Sequence, residues 1–547
     1  MNSLWLLVLG IILFFIAYVS YGGYLAKKWG VDPSRPTPSH TKYDNIDYVP
    51  TNAKVLLGHH FSSIAGAGPI TGPILASIFG WLPVYLWIVI GSIFVGGVHD
   101  FGSLLASVRH EGKSIGEIIK VNVGKRGKAL FNIFAWLTLV LVVAAFTDIT
   151  ATTFAFDASK PDLLTGARAG TASVLFIALA VAFGFAVYRK GASLTISTIV
   201  GVALLFFCIW IGYQLPFIKL SLNGWRVLLL IYIFAASVLP VWLLLQPRDY
   251  LNSFLLYAML IGGVIGIILV HPTIQISAVK SFTIGQGAAA QYLFPMLFVT
   301  VACGAVSGFH SLVGSGTSSK QIDSEKDIKF VGYGAMLIEG LVAIVALISV
   351  AYVAKIDGSL SPAQKFAAGV AYFMSSFGIP EAVGKVFVTL AFSAFALTSL
   401  DTATRIGRYV FEEFFDTGGE KKSLLTNMYV ATLFTVAASI VLVLYGYNKI
   451  WTIFGSANQL LSGLALLAIT AWLAKNGKKT IMTVVPMVLM FCVTLSALLL
   501  SMKNYYLAKS WLLFVLALLL FILAIVLIIE TVNTLKRATT AGKNINA

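Results

Sequence analysis

From residue 3 onward the chain repeats one pattern, a long apolar run closed by a short polar interruption. Fifteen runs are long enough to matter, at roughly 3–25, 55–79, 81–108, 129–147, 170–188, 193–215, 227–246, 253–270, 288–309, 330–354, 384–412, 425–446, 450–474, 481–502 and 510–535. A helix needs about 20 apolar residues to cross about 30 Å of hydrocarbon, so the pattern predicts an all-α polytopic membrane protein with about 15 spans. The first run has no basic residue before it and Lys27 and Lys28 after it, which reads as a retained span rather than a signal peptide. AQKFAAGVAYFMSSFGIP, within 355–383, reads as a short amphipathic or re-entrant helix and is not counted as a span.

Two runs break the pattern from inside. GHHFSSIAGAGPITGP (58–73) places Gly66, Gly68, Pro69, Gly72 and Pro73 within an apolar stretch, and LLLIYIFAASVLPVWLLLQPRDY carries Pro240 and Pro247. A helix broken in lipid exposes backbone N–H and C=O groups, so such breaks survive only against protein or a water-filled cavity. Transporters use paired breaks of this kind as substrate sites, at matching positions of inverted repeats. The two breaks lie five runs apart, and an odd number forces the second copy to be inverted. This predicts a peripheral first span and loop (1–54), a first repeat (55–215), a second repeat (227–424) and peripheral C-terminal helices (425–547). The alternative is that the glycines only permit close helix packing and Pro240 only kinks a helix.

Composition agrees: 58% of the 547 residues are hydrophobic and 11% charged, too apolar for a soluble protein. The net charge of +16 does not point to nucleic acid. Most of the 38 Lys and Arg fall in alternate loops, including 26–54, 109–128 and 535–543. The positive-inside rule then predicts an outer N-terminus, a cytoplasmic C-terminus and membrane lipid as the surroundings. Cys208, Cys303 and Cys492 lie far apart within spans, with no CxxC motif, and read as packing residues.

GHHFSSIAGAGPITGPILA, SVLPVWLLLQPRDYLNSF, VSGFHSLVGSGTSSKQI, LTSLDTATRIGRY and WTIFGSANQLLSGLAL occur in that order. In these motifs the sequence resembles the carbon-starvation transporter family, from about residue 1 to at least 475. The resemblance implies a protein of the bacterial inner membrane that takes up peptides or pyruvate. It also implies kinship with the inverted five-plus-five, LeuT-type fold. Many familiar members are longer, so whatever their extra length does is not carried over.

Ionisable residues within spans are expensive and are functional hypotheses by default. Asp100 lies in the third run, about 13 Å from its cytoplasmic end, with Ser103 and Ser107 on its face and no opposite charge at helical spacing. It is the first candidate for proton coupling. Glu339, amid apolar neighbours that also suit the periphery of the core, is the second; each also fits a structural carboxyl. Asp401 and Arg405 share a helix face and read as a structural ion pair or a cytoplasmic gate pair. His59, His60, His99 and His310 fall in one half of the membrane and could hold zinc or the iron of haem b, or simply hydrogen-bond and line an aqueous entry. The breaks offer backbone groups to a substrate carboxylate: Ala65, Gly66, Ala67 and Gly68 on one side, Ser237, Val238 and Leu239 on the other. Ser307 could serve a sodium ion there, whereas Ser456, Asn458 and Gln459 read as polar glue between helices. The expected function is a secondary transporter that imports a small carboxylate-bearing nutrient with protons or sodium, not an enzyme. No Walker A sequence supports an ATP-driven pump. The rival classes are a haem- or metal-bearing membrane redox or sensor protein, and a channel.

Overall fold

The computed structural model describes residues 2–44, 47–159, 164–240, 242–287, 290–353, 360–416 and 423–545. Among the described residues each of the fifteen predicted runs overlaps a helix. In chain order these are α1 (Leu4–Trp29), the bent pair α2 (Ala53–Ile64) and α3 (Gly68–Phe79), α4 (Trp81–Arg109), α5 (Lys125–Phe154), α6 (Thr165–Val187), α7 (Leu194–Gln214), α8 (Leu222–Val238), α9 (Leu245–Val270), α10 (Leu293–Lys320) and α11 (Lys329–Val353). After the short α12 (Pro362–Ser375) come α13 (Glu381–Phe415), α14 (Met428–Val443), α15 (Tyr447–Lys475), α16 (Ile481–Leu507) and α17 (Trp511–Asn533). Among the described residues twelve of these, or thirteen with the bent pair, are long and apolar enough to cross a bilayer; α8 and α14 are apolar but shorter.

Local chemistry sets the ends. Asn52, Ser221 and Asn427 cap α2, α8 and α14 by accepting hydrogen bonds from backbone N–H groups of the first turn. Ser361 and Gln364 form a reciprocal capping box on α12, which is the extra helix expected at 355–383 and too short to span. Pro240, which lacks an N–H, follows the last turn of α8, and the chain turns before α9 begins. A two-stranded antiparallel pair, Thr283–Ile284 with Gln291–Tyr292, lies in the connection before α10.

Burial separates core from rim. In their most apolar windows α10 and α15 are 94% buried and α13 is 89% buried, against 22% for α7 and 28% for α1 and α17. A helix apolar all round but buried must be surrounded by other helices, whereas α1, α7 and α17 turn large apolar side chains such as Trp5, Ile196 and Trp511 outward, as a lipid-facing surface requires. The long α13 packs along α5, and α3 packs against α10 and α11. The broken segments therefore sit inside the helical assembly, away from lipid.

Candidate substrate and coupling site

The first break is at Ala65–Ala67, where α2 and α3 meet with a 47° bend. Ala65, Gly66, Ala67 and Gly68 are all buried, and Gly68 and Pro69 open the second half-helix. The freed carbonyl of Ser63 accepts a hydrogen bond from Ser399 Oγ at 3.1 Å. That contact supplies the partner a break in an apolar interior needs.

The segment that meets this break is not the one the sequence pointed to. It is the middle of α10, where residues 302–307 leave the helix. Ala302 takes φ 46°, a short 3₁₀ turn follows, and Ser307 is extended before the helix restarts at Gly308. A Cβ on Gly68 would lie 2.6 Å from Cys303 Sγ, and one on Gly72 only 2.2 Å from the Val301 carbonyl oxygen. The glycines are therefore required because two backbones approach closely. Asn458 of α15 holds the second break. Its Oδ1 accepts from Phe309 N at 2.9 Å, capping the restarted helix from outside, and its Nδ2 reaches Ser307 Oγ at 3.0 Å and Cys303 Sγ at 3.5 Å. Ser307 Oγ is thus paired with Asn458. Gln459 Nε2 donates to the Phe298 carbonyl at 2.7 Å, so Asn458 and Gln459 do join helices, as expected, while Ser456 bonds within its own helix.

Ser237, Val238 and Leu239 end α8 elsewhere. Ser237 Oγ lies 3.1 Å from Thr432 Oγ1. The Ala236 carbonyl accepts from Arg405 Nη2 at 2.9 Å, and the Leu239 carbonyl accepts from the same nitrogen. Pro240 does break the chain, but the C-terminal carbonyls it frees are covered by a guanidinium and do not face Gly66 to Gly68.

Arg405 is consequently not the partner of Asp401. Asp401 pairs with Arg248 of α9 and accepts from Tyr232 Oη at 2.8 Å. Arg248 also reaches Tyr232 Oη at 2.5 Å and Asp249 Oδ1 at 3.3 Å, and all four side chains are at least largely buried. Helical spacing put Asp401 and Arg405 on one face; tertiary packing supplied a nearer cation. Arg248 and Asp249 fall between the runs 227–246 and 253–270, and the signal that could have found them is an Arg-Asp pair just after a proline between two apolar runs.

Among the described residues the four histidines do not form one metal-sized group, although His60 lies within electrostatic reach of Asp100, His310 and His59. His60 Nδ1 bonds Ser318 Oγ at 2.7 Å, and His59 Nδ1 faces Asp249 at 3.8 Å. His99 and His310 flank Asp100, with Nδ1 to Oδ1 at 2.7 Å and Nδ1 to Oδ2 at 2.8 Å. Asp100 is therefore not isolated, because its partners come from its sequence neighbour and from α10. Glu339 is core rather than peripheral: it is fully buried and lies 3.3 Å from His310 Nε2. Cys303, His310 and Glu339 bring one ligand atom each within 4.8 Å of one another.

A cavity of about 130 Å³ opens beside these networks, lined among others by His59, Ser63, Asp249, Lys320, Arg405 and Glu413. It lies at the end of the molecule that carries the basic loops, since Asp47 and Ser114 also border it. At the opposite end a gap of about 10 Å³ lies between Thr71, Thr153, Pro362 and Tyr447, and a groove of about 690 Å³ runs between α7, α9 and α13, lined by Tyr213, Gln214, Phe377 and Pro380.

The sequence profile of the carbon starvation protein CstA matches residues 2–359 and 354–497. The chain belongs to this family. It is 33% identical to the peptide transporter CstA of Escherichia coli (strain K12) over 91% of its own length and 80% of that protein. It is 32% identical to the peptide transporter CstA of Bacillus subtilis over 85% and 84%. The pyruvate/proton symporter BtsT of Escherichia coli is 38% identical over 64% of this chain and 49% of that protein. Among solved structures, a mutant of the manganese transporter of Eremococcus coleocola superposes with a TM-score of 0.52 at 12% identity, covering 90% of this chain and 99% of that one. The fold is the LeuT-type fold, as expected, and the chain is a multi-pass membrane transporter of this family.

Proposed function

We propose that this transporter imports a small carboxylate-bearing solute with protons, and that the solute enters the cytoplasm through the cavity beside Arg405. The observation that carries this reading is the pairing of groups on the cavity wall. Arg405 spends Nη2 on the two α8 carbonyls, and its Nε is left without a hydrogen bond. Arg168, Arg248 and Arg408 carry the same unpaired Nε, and Arg405 is the one of these that lines the cavity, where a guanidinium suits a carboxylate. The substrate carboxylate anchors on Arg405, with the backbone at 65–68 beyond it. Asp249 and His59, 3.8 Å apart on the same wall and beside Arg405, carry the coupling proton.

Short peptides are the first reading for the solute, because the relatives alike over most of this chain are named peptide transporters; pyruvate is the second, because a relative named for it is 38% identical. The basic-loop end is cytoplasmic by the positive-inside rule, which makes this conformation inward-facing. The division at 55–215 and 227–424 leaves the first break, at 65–67, in the first unit and the second, at 302–307, in the second.

Uptake into proteoliposomes tests the proposal. A labelled dipeptide and labelled pyruvate are offered under an inward proton gradient, with and without sodium. One of them accumulates without sodium, Arg405→Gln raises its KM, and Asp249→Asn removes the dependence on the proton gradient. Accumulation driven by sodium alone, or an Asp249→Asn variant that still follows the proton gradient, contradicts the assignment.

A further inference from the structure

Cys303, His310 and Glu339 remain outside the cavity and outside the reading above. They come from the second break (Cys303), the helix that restarts after it (His310) and the buried middle of α11 (Glu339), and all three are buried. Their ligand atoms lie within 4.8 Å of one another. The edge of a tetrahedron around zinc with these donors is about 3.3–3.8 Å, and His310 Nε2 and Glu339 Oε2 are already 3.3 Å apart. Neither that nitrogen nor either Glu339 oxygen makes a well-directed hydrogen bond. A carboxylate left in this state in an apolar interior is costly, and a cation removes the cost.

The surroundings are arranged as around a metal. His310 engages Asp100 through Nδ1 at 2.8 Å, which fixes the ring and leaves Nε2 to point at Glu339 and Cys303. This is the carboxylate–histidine arrangement that orients imidazole ligands and raises their basicity. His99 holds the other oxygen of Asp100 at 2.7 Å. Asn458 donates Nδ2 to Cys303 Sγ at 3.5 Å, a contact that suits a thiolate. Gly68 leaves the space the sulfur occupies, since a Cβ there would sit 2.6 Å from Sγ. Five helices, α3, α4, α10, α11 and α15, thus meet around three donors of mixed type, thiolate, imidazole and carboxylate, which fits zinc and its spectroscopic substitute cobalt(II).

We infer that Cys303, His310 and Glu339 bind one divalent transition ion of the zinc class, which ties the second break of α10 to α11 and leaves a fourth coordination position open. The test reads metal rather than transport, so it stands or falls separately from the proposed substrate and proton. Full-length protein is purified in detergent without chelator, and its metal content is measured. About one zinc per chain is expected, and Asp100→Asn weakens zinc binding about 10–100-fold through His310. Cobalt(II) added to metal-stripped protein should give thiolate-to-cobalt absorption in the near ultraviolet. Cys303→Ser removes that absorption, and Cys208→Ala leaves it. Should the Cys303 and Asp100 variants fail to fold, the unaltered chain still decides: zinc slows alkylation of Cys303 and a chelator restores it. No bound zinc after dialysis against it, together with no cobalt absorption and no protection of Cys303, overturns the inference.

Discussion

At the scale of single residues, the interior is organised by charges that the sequence scatters. Arg248 and Asp401 lie on different helices and are both buried. Removing one partner of a buried ion pair leaves the other uncompensated and costs about 3–5 kcal/mol, whereas replacing both with apolar residues of similar size is close to neutral. Arg248→Met and Asp401→Leu should therefore each lower the melting temperature of the detergent-solubilised protein sharply, and the double variant should recover most of the loss. A double variant that melts lower than either single one would show that the pair is not the unit. The sequence exposed Asp100, Glu339, Asp401 and Arg405 as candidates because ionisable residues in apolar runs stand out. It hid their partners, because Arg248 sits at a run boundary and His310 meets Asp100 across 210 positions of chain. Helical spacing reports neighbours on one helix and is silent about the facing one.

At the scale of elements, the two breaks that meet account for the glycine cluster. Gly68 and Gly72 face Cys303 and the Val301 carbonyl at distances no Cβ tolerates, and Val301 contributes backbone, which cannot swing aside. Gly72→Ala should reduce the yield of folded protein in size-exclusion chromatography. Gly68→Leu should abolish uptake in protein that still inserts, because the added chain displaces Cys303 and fills the space between the breaks. Gly23 is the control, because a methyl added there would meet nothing within 4 Å. Gly23→Ala should fold normally and, as an alanine in a helix, gain about 0.5–1 kcal/mol. Normal uptake by Gly68→Leu would remove the breaks from the transport path. The first break was legible, since a dense cluster of Gly and Pro inside an apolar run opposes a continuous helix at several positions at once. The second was misplaced at Pro240, because a proline is a louder signal than the VACGAVSG stretch at 301–308, where no proline marks the change of direction.

At the scale of the whole molecule, hydropathy alone placed a helix at each predicted run among the described residues, because crossing a bilayer demands length and apolarity that no other fold demands, but twelve or thirteen of them rather than fifteen reach span length. Orientation rests on charge, and labelling checks it. With Cys208 and Cys492 replaced and buried Cys303 kept, a cysteine placed at Ser159 should react with an impermeant maleimide from outside the cell. One placed at Glu111 should react only after the membrane is opened. Reaction of both from one side would overturn the orientation and with it the inward-facing assignment of the cavity.

The central claim is that this chain couples entry of a small carboxylate-bearing solute to protons, and the current it carries measures that most directly. Proteoliposomes adsorbed to a solid-supported membrane are exposed to a jump of dipeptide, then of pyruvate, at fixed ionic strength. The account predicts a transient inward current with one of the two, larger when the outside is more acidic and unchanged when sodium is replaced by choline. Arg405→Gln should shift the current to higher solute concentration, and Asp249→Asn should erase its response to pH. A solute-evoked current that disappears without sodium, or one indifferent to the proton gradient, would contradict the account.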